Sequence, residues 1–139
     1  MGVVRAVAIG LVAATGITQA GGEPATITLS CDGKITDARA SEPKPEPITK
    51  MGVVVNLTEK TVAGFGGIVA RIDKADEVYI SFSGQGQLTS NVGGNSRAIG
   101  GISVMGDLDR VTGALSVTTM TTATIFSYEL YCKPATRLF

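Results

Sequence analysis

The chain contains no histidine, no tryptophan and only two cysteines, and just 5% of its 139 residues are aromatic. Each shortage removes a class of function. Without histidine there is no Ser-His-Asp or Cys-His device, no HExxH zinc site and no imidazole base. Gly94-Asn95-Ser96-Arg97-Ala98 fails at the last position of a nucleophile elbow. Gly64-Phe65-Gly66 and Gly84-Gln85-Gly86 lack the third glycine and the Lys-Ser/Thr of a phosphate-binding loop. Four Phe and three Tyr are too few for the aromatic girdles of an outer-membrane barrel. Twelve Lys and Arg balance twelve Asp and Glu, so no basic footprint for nucleic acid or an anionic membrane is present. From residue 21 onward helical periodicity is also missing, because glycine or a β-branched run interrupts every apolar i, i+3, i+4, i+7 pattern.

What is present begins with Met1-Gly2-Val3-Val4-Arg5, an apolar run from Ala6 to Ala14, and Thr18-Gln19-Ala20. One basic charge, a short apolar stretch and small residues before a break form the pattern of a secretory signal peptide. An uncleaved anchor would need about 20 consecutive apolar residues, and Gly10, Thr15, Gly16 and Gln19 interrupt the run. Cleavage is expected after Ala20, and Gly21 offers no thiol for lipid attachment. Residues 21–139 then form one domain in the periplasm or outside the cell, with no membrane insertion after the leader is removed.

Period-two alternation between turn residues predicts strands throughout that domain. Ile27, Leu29 and Cys31 share a face, and Asp32-Gly33 has the composition of a type I′ turn, returning the chain as a strand over Lys34–Ala38. Alternating prolines make Ser41–Pro47 an extended surface loop. Further strands are expected over Met51–Leu57, Thr61–Phe65, Ile68–Ile72, Val78–Ser83, Ile99–Leu108, Ala114–Met120 and Thr124–Cys132. Gly64, Gly66 and Gly67 suggest a bulge or sharp bend. A turn of helix is conceivable only around Asp73–Glu77, and the polar stretch Gly84–Arg97 reads as a long mobile loop. The fold class is all-β: an antiparallel sandwich or small closed barrel of about 7–9 strands with hairpin connections.

Cys31 and Cys132 each end a strand on its apolar face, and an exported chain folds where thiols are oxidised. A Cys31–Cys132 disulfide is expected, the alternative being two free cysteines buried as small hydrophobes. The bridge requires Cα atoms within about 7 Å, so the first and last strands must be neighbours or face each other across the core.

Among the carboxylates, Asp107 and Asp109 flank Leu108 and point to one side of a strand end. Two such acids are the equipment of a glycoside hydrolase or a calcium site. The competing reading is turn chemistry, with Asp109 bonding the backbone of Asp109–Gly113. Asp73, Asp76 and Glu77 form a second acidic group, and Asn56-Leu57-Thr58 matches the glycosylation sequon by spacing.

The ending Cys132-Lys133-Pro134-Ala135-Thr136-Arg137-Leu138-Phe139, with Asp109-Arg110-Val111-Thr112-Gly113 ahead of the last hairpin, resembles small exported bacterial proteins of unknown function. Thr26-Ile27-Thr28-Leu29 and Thr118-Thr119-Met120-Thr121-Thr122 resemble pilin-like subunits of surface fibres. That likeness implies an exported, disulfide-bonded β-sandwich that completes a neighbour's sheet with an extended segment. The meander also resembles lipocalin- and avidin-like ligand barrels. Taken together, the residues predict an exported, non-catalytic β domain with a binding or surface-structural role. The alternatives are a pilin-like fibre subunit and a carboxylate-dependent hydrolase using Asp107 and Asp109. No cofactor or metal is expected, and the partner is not identified. Protein or glycan contact is expected through the loops 41–50 and 84–97.

Overall fold

A computed structural model describes residues 25–135; the expected leader and the Arg137–Phe139 ending lie outside them. Eight strands follow one another: β1 (Thr26–Asp37), β2 (Glu46–Asn56), β3 (Thr61–Phe65), β4 (Ile68–Ala75), β5 (Tyr79–Val92), β6 (Asn95–Asp109), β7 (Ala114–Met120) and β8 (Ile125–Pro134). Each pairs antiparallel with the next, and β8 returns to pair with β1, closing an up-and-down barrel. Closure gives every wall strand a paired neighbour on both sides, which an open meander of the same strands would not do.

The alternation seen in the sequence decides which side chains fill the barrel. Leu29 and Cys31, Val53 and Val55, Ile80 and Phe82, Val104 and Leu108, and Leu115 and Val117 are all buried, with exposed or half-buried residues between them. At the centre Phe65 lies against Phe82 with ring centroids 6.2 Å apart and meets Tyr128 edge-on at 5.4 Å. Burial pushes the Tyr128 phenol above its ordinary range, against a smaller opposing hydrogen bond with Thr119.

The expected disulfide is present and sits on the closing seam. Cys31 and Cys132 are directly opposed residues of β1 and β8, bonded to each other, with Cα atoms 4.0 Å apart. Cys132 gives its N–H to Gly113 O on its other side at 2.8 Å, so the cysteines form a non-hydrogen-bonded pair, where facing side chains lie closest. Of the two arrangements the bridge allowed, the first and last strands are neighbours.

Asp32-Gly33 does not make the expected hairpin. Both residues lie inside β1, which runs unbroken through the two strands read from the sequence as Thr26–Cys31 and Lys34–Ala38. The ladder to β2 slips by one residue between Cys31 and Gly33. Asp32 Oδ1 accepts the N–H of Lys50 at 2.8 Å across that slip, and Lys50 has a φ of 53°. Gly33 is needed for a close approach: a Cβ there would lie 2.0 Å from the carbonyl oxygen of Glu129 on β8. The pair therefore lies at a slip toward β2 and against the backbone of β8 instead of reversing the chain.

Three other expectations are also modified. Of the loop placed at 41–50, residues 46–50 belong to β2, and the connection that remains is held by Arg39, whose guanidinium donates to Thr122 O at 2.7 Å. No helix forms at Asp73–Glu77; β4 runs to Ala75, and Asp76 Oδ1 accepts the N–H groups of Val78 and Tyr79 at 2.8 and 2.7 Å. The glycine cluster behaves as expected, with the β3–β4 register shifting between Ala63 and Phe65 and a turn at Gly66-Gly67. Gly84–Arg97 is not a loop. It is the far part of the longest hairpin in the molecule, in which β5 and β6 stay paired out to Val92 and Asn95.

Candidate functional site

Asp107 and Asp109 lie on the outer wall at the end of β6. They line a shallow groove of 320 Å³ with Tyr79, Ser116, Glu129 and Tyr131. One oxygen of each is engaged. Asp107 Oδ1 accepts the Ser81 hydroxyl at 2.7 Å, and Asp109 Oδ1 accepts the N–H groups of Val111 and Thr112 at 2.8 and 3.0 Å. Those bonds, Thr112 first and then Val111, hold the Asp109 carboxyl below the ordinary carboxylate range. A general acid for glycoside hydrolysis needs the opposite shift. Asp109 thus does what the turn reading expected, closing Asp109–Gly113 together with a Gly113 N–H to Asp109 O bond of 2.9 Å.

Beside this turn the barrel has a mouth. A 340 Å³ pocket runs beneath Asp109–Gly113, with Leu29, Val55, Ile80 and Leu108 among the core residues that line it. Deeper in, the Phe65, Phe82 and Tyr128 rings fill the axis. Arg110 ties the turn to the neighbouring one: its N–H donates to Val78 O at 2.7 Å, and its guanidinium to Asp76 O at 2.6 Å. The same turn holds Asp76 and Glu77 of the second acidic group, whereas Asp73 lies within β4 and accepts the Ser83 hydroxyl at 2.7 Å. Asp76 is kept below the ordinary carboxylate range by its backbone bonds, Tyr79 first and Val78 next, with smaller help from the Lys74 and Arg110 charges.

The opposite end carries the feature that the sequence hid. The ladder between β4 and β5 stops at Arg71 and Ser83, and that between β6 and β7 stops at Ser103 and Met120. Beyond those points β5 and β6 continue as a two-stranded arm, closed by the two-residue turn Gly93-Gly94 with φ of 62° and 82°. Positive φ at both central residues is the type I′ requirement, which glycine meets without steric cost. Within the arm the Ser96 hydroxyl donates to the Asn91 side-chain oxygen, linking an opposed pair.

The two edges of the arm differ. On β6 the pairing slips, with Ala98 opposite Thr89 and Gly100 opposite Leu88, leaving Ile99 as an extra, exposed residue. Arg97 and Gly100, at a φ of 147°, flank this bulge. On β5 the run Gln87–Val92 is continuous and holds no charge, proline or glycine. Its outward groups follow from parity. Arg110 bonds to Val78 O, while Tyr79 O accepts the N–H of Asp76. Even-numbered residues of β5 therefore bond to β6, and odd-numbered residues turn N–H and C=O away from it. Gln87, Thr89 and Asn91 point theirs outward, with no ladder partner among the described residues.

The arm was detectable from Gly93-Gly94, a two-residue hairpin signal, but the flanking residues lack apolar alternation. Among the described residues no group of three or more His, Cys, Asp or Glu could hold a metal ion, and no helix is long and apolar enough to cross a membrane. No family model matches the chain, and no curated protein or solved structure does so either.

Proposed function

We propose that the chain is exported and works as a non-catalytic domain, with the arm of β5 and β6 as its contact element. The observation that carries this reading is the arm itself. An isolated two-stranded hairpin is marginal in water, and this one extends past the wall it grows from, so the barrel's own closure does not account for it. Strand addition along an exposed edge is a general mode of protein recognition. Contact with a protein is therefore favoured over contact with a glycan, and the site is the 84–97 stretch rather than 41–50. The engaged oxygens of Asp107 and Asp109 support the non-catalytic reading over a hydrolase. The disulfide on the seam supports folding in an oxidising compartment. A pilin-like subunit would need a gap for a donor strand, whereas β1 and β8 pair with each other along the closing seam, which disfavours that reading.

Export is tested by fractionating an expressing Gram-negative host. The expected species lies in the periplasm, begins at Gly21, and weighs two hydrogens less than its dithiol form. A reduced protein retained in the cytoplasm would overturn the reading. The arm is tested by excising Thr89–Ile99 and joining Leu88 to Gly100 through Asn-Gly. The barrel is expected to keep its thermal transition, and its collapse would make the arm part of the fold.

A further inference from the structure

We infer that the partner of the arm is a second copy of this chain, joined through the Gln87–Val92 edge about a twofold axis. The inference rests on the reading of the arm as a contact element and names what it contacts.

The asymmetry of the two edges carries the argument. Proteins protect exposed strand edges with bulges, charges and strand breakers, because a bare edge is a template for another strand. The β6 edge has such protection: the Ile99 bulge, Arg97 and Gly100. The β5 edge has none of it over six residues, and a short β-prone stretch without charge or proline is the composition that pairs most readily. One strand is guarded and its neighbour, at the same height on the same arm, is not.

An antiparallel edge is self-complementary, so a twofold axis brings Gln87, Thr89 and Asn91 of one copy against the same three residues of another. No charge on this edge opposes the approach. Both sets of outward N–H and C=O groups are then bonded, and two marginal ribbons become a four-stranded sheet. That sheet runs β6, β5, β5, β6, and both its outer edges are the guarded ones. Assembly therefore stops at two copies, whereas a foreign strand on a single arm would leave the second copy's bare edge unused.

The test uses the oxidised full domain and two substitutions at one height on the arm. Thr89 and Ala98 face each other across the ladder, both are exposed, and each can be changed to proline. Sedimentation equilibrium is expected to give a mass that rises to twice the monomer with concentration and no further. Thr89→Pro removes an outward N–H from the bare edge and is expected to leave only monomer. Ala98→Pro disturbs the arm equally from the guarded edge and is expected to leave the dimer intact. Hydrogen exchange supplies a second readout: the amides of Gln87, Thr89 and Asn91 should gain protection with concentration, while those of the even residues between them should not. A monomer at every concentration, growth beyond two copies, or an equal response of the two proline variants would each overturn self-pairing. A monomer whose excised-arm variant still folds would overturn the twofold partner alone and leave the arm as a contact element for a different chain.

Discussion

The barrel wall and the arm are both built from antiparallel strands, yet they are held by different forces. In the wall, each strand has one face on a shared core and a bonded neighbour on both sides. Val53, Val55, Ile80, Phe82 and Leu130 are each at most 2% exposed, and burying such a side chain contributes about 1.5–3 kcal/mol. In the arm Ile102 is buried at the base, farther out Ile99 is 61% exposed, and the ladder between two strands is the main support. Apolar burial fixes strand register in the wall, whereas in the arm register depends on the Gly93-Gly94 turn and on pairs such as Asn91 with Ser96. A region that contributes so little to the fold is free to serve contact.

Substitutions sharpen this contrast in descending order of effect. Phe65→Ala removes the ring that meets both Phe82 and Tyr128, and the expected loss is about 3–5 kcal/mol of stability by urea denaturation. If the wall and the arm are separate in energy, that loss should leave the concentration dependence of mass unchanged wherever the protein stays folded. Replacing Cys31 and Cys132 together by serine is expected to cost about 2–4 kcal/mol, read as a lower midpoint in denaturant. A double variant as stable as the bridged protein would show that the ladder holds the seam unaided.

The smallest effect concerns the mouth-end turns. The Asp76 and Asp109 carboxyls lie below their ordinary value of 3.8 in the folded protein. Their contribution is therefore complete above that value and is lost as pH falls through the lowered folded values. Amides of Val78, Tyr79, Val111 and Thr112 should lose exchange protection in that acid window, before the core amides do. Asp109→Asn should remove the acid step at Val111 and Thr112 and leave the one at Tyr79. An acid step at Val111 that survives in Asp109→Asn would break the assignment.

Much of the wall was legible in the sequence because a strand half buried in a core must alternate. Leu29 and Cys31, Val53 and Val55, and Ile80 and Phe82 gave away both strand and face, and the two cysteines narrowed the first and last strands to neighbours or to a facing pair across the core. Asp32-Gly33 misled because its role is set from a distance. The Asp32 carboxylate serves Lys50, eighteen positions further on, and Gly33 makes room for the backbone at Glu129; a local pattern contains neither partner. Gly84–Arg97 misled for a different reason. Glycine and polar residues interrupt any apolar period there, so a paired strand has the composition of a loop. Asp109–Gly113 was read correctly because its bonds span only a few residues.

The seam also determines how the chain must be assembled. Seven of the ladders join consecutive strands and can form by zipping outward from a turn, but Cys31 and Cys132 are 101 positions apart. The pairing of greatest sequence separation is thus a single event, and contacts of that kind slow folding most. Until that event the molecule is a ribbon with two open sides, so the encounter of β1 with β8 is the step that a reducing environment would leave reversible.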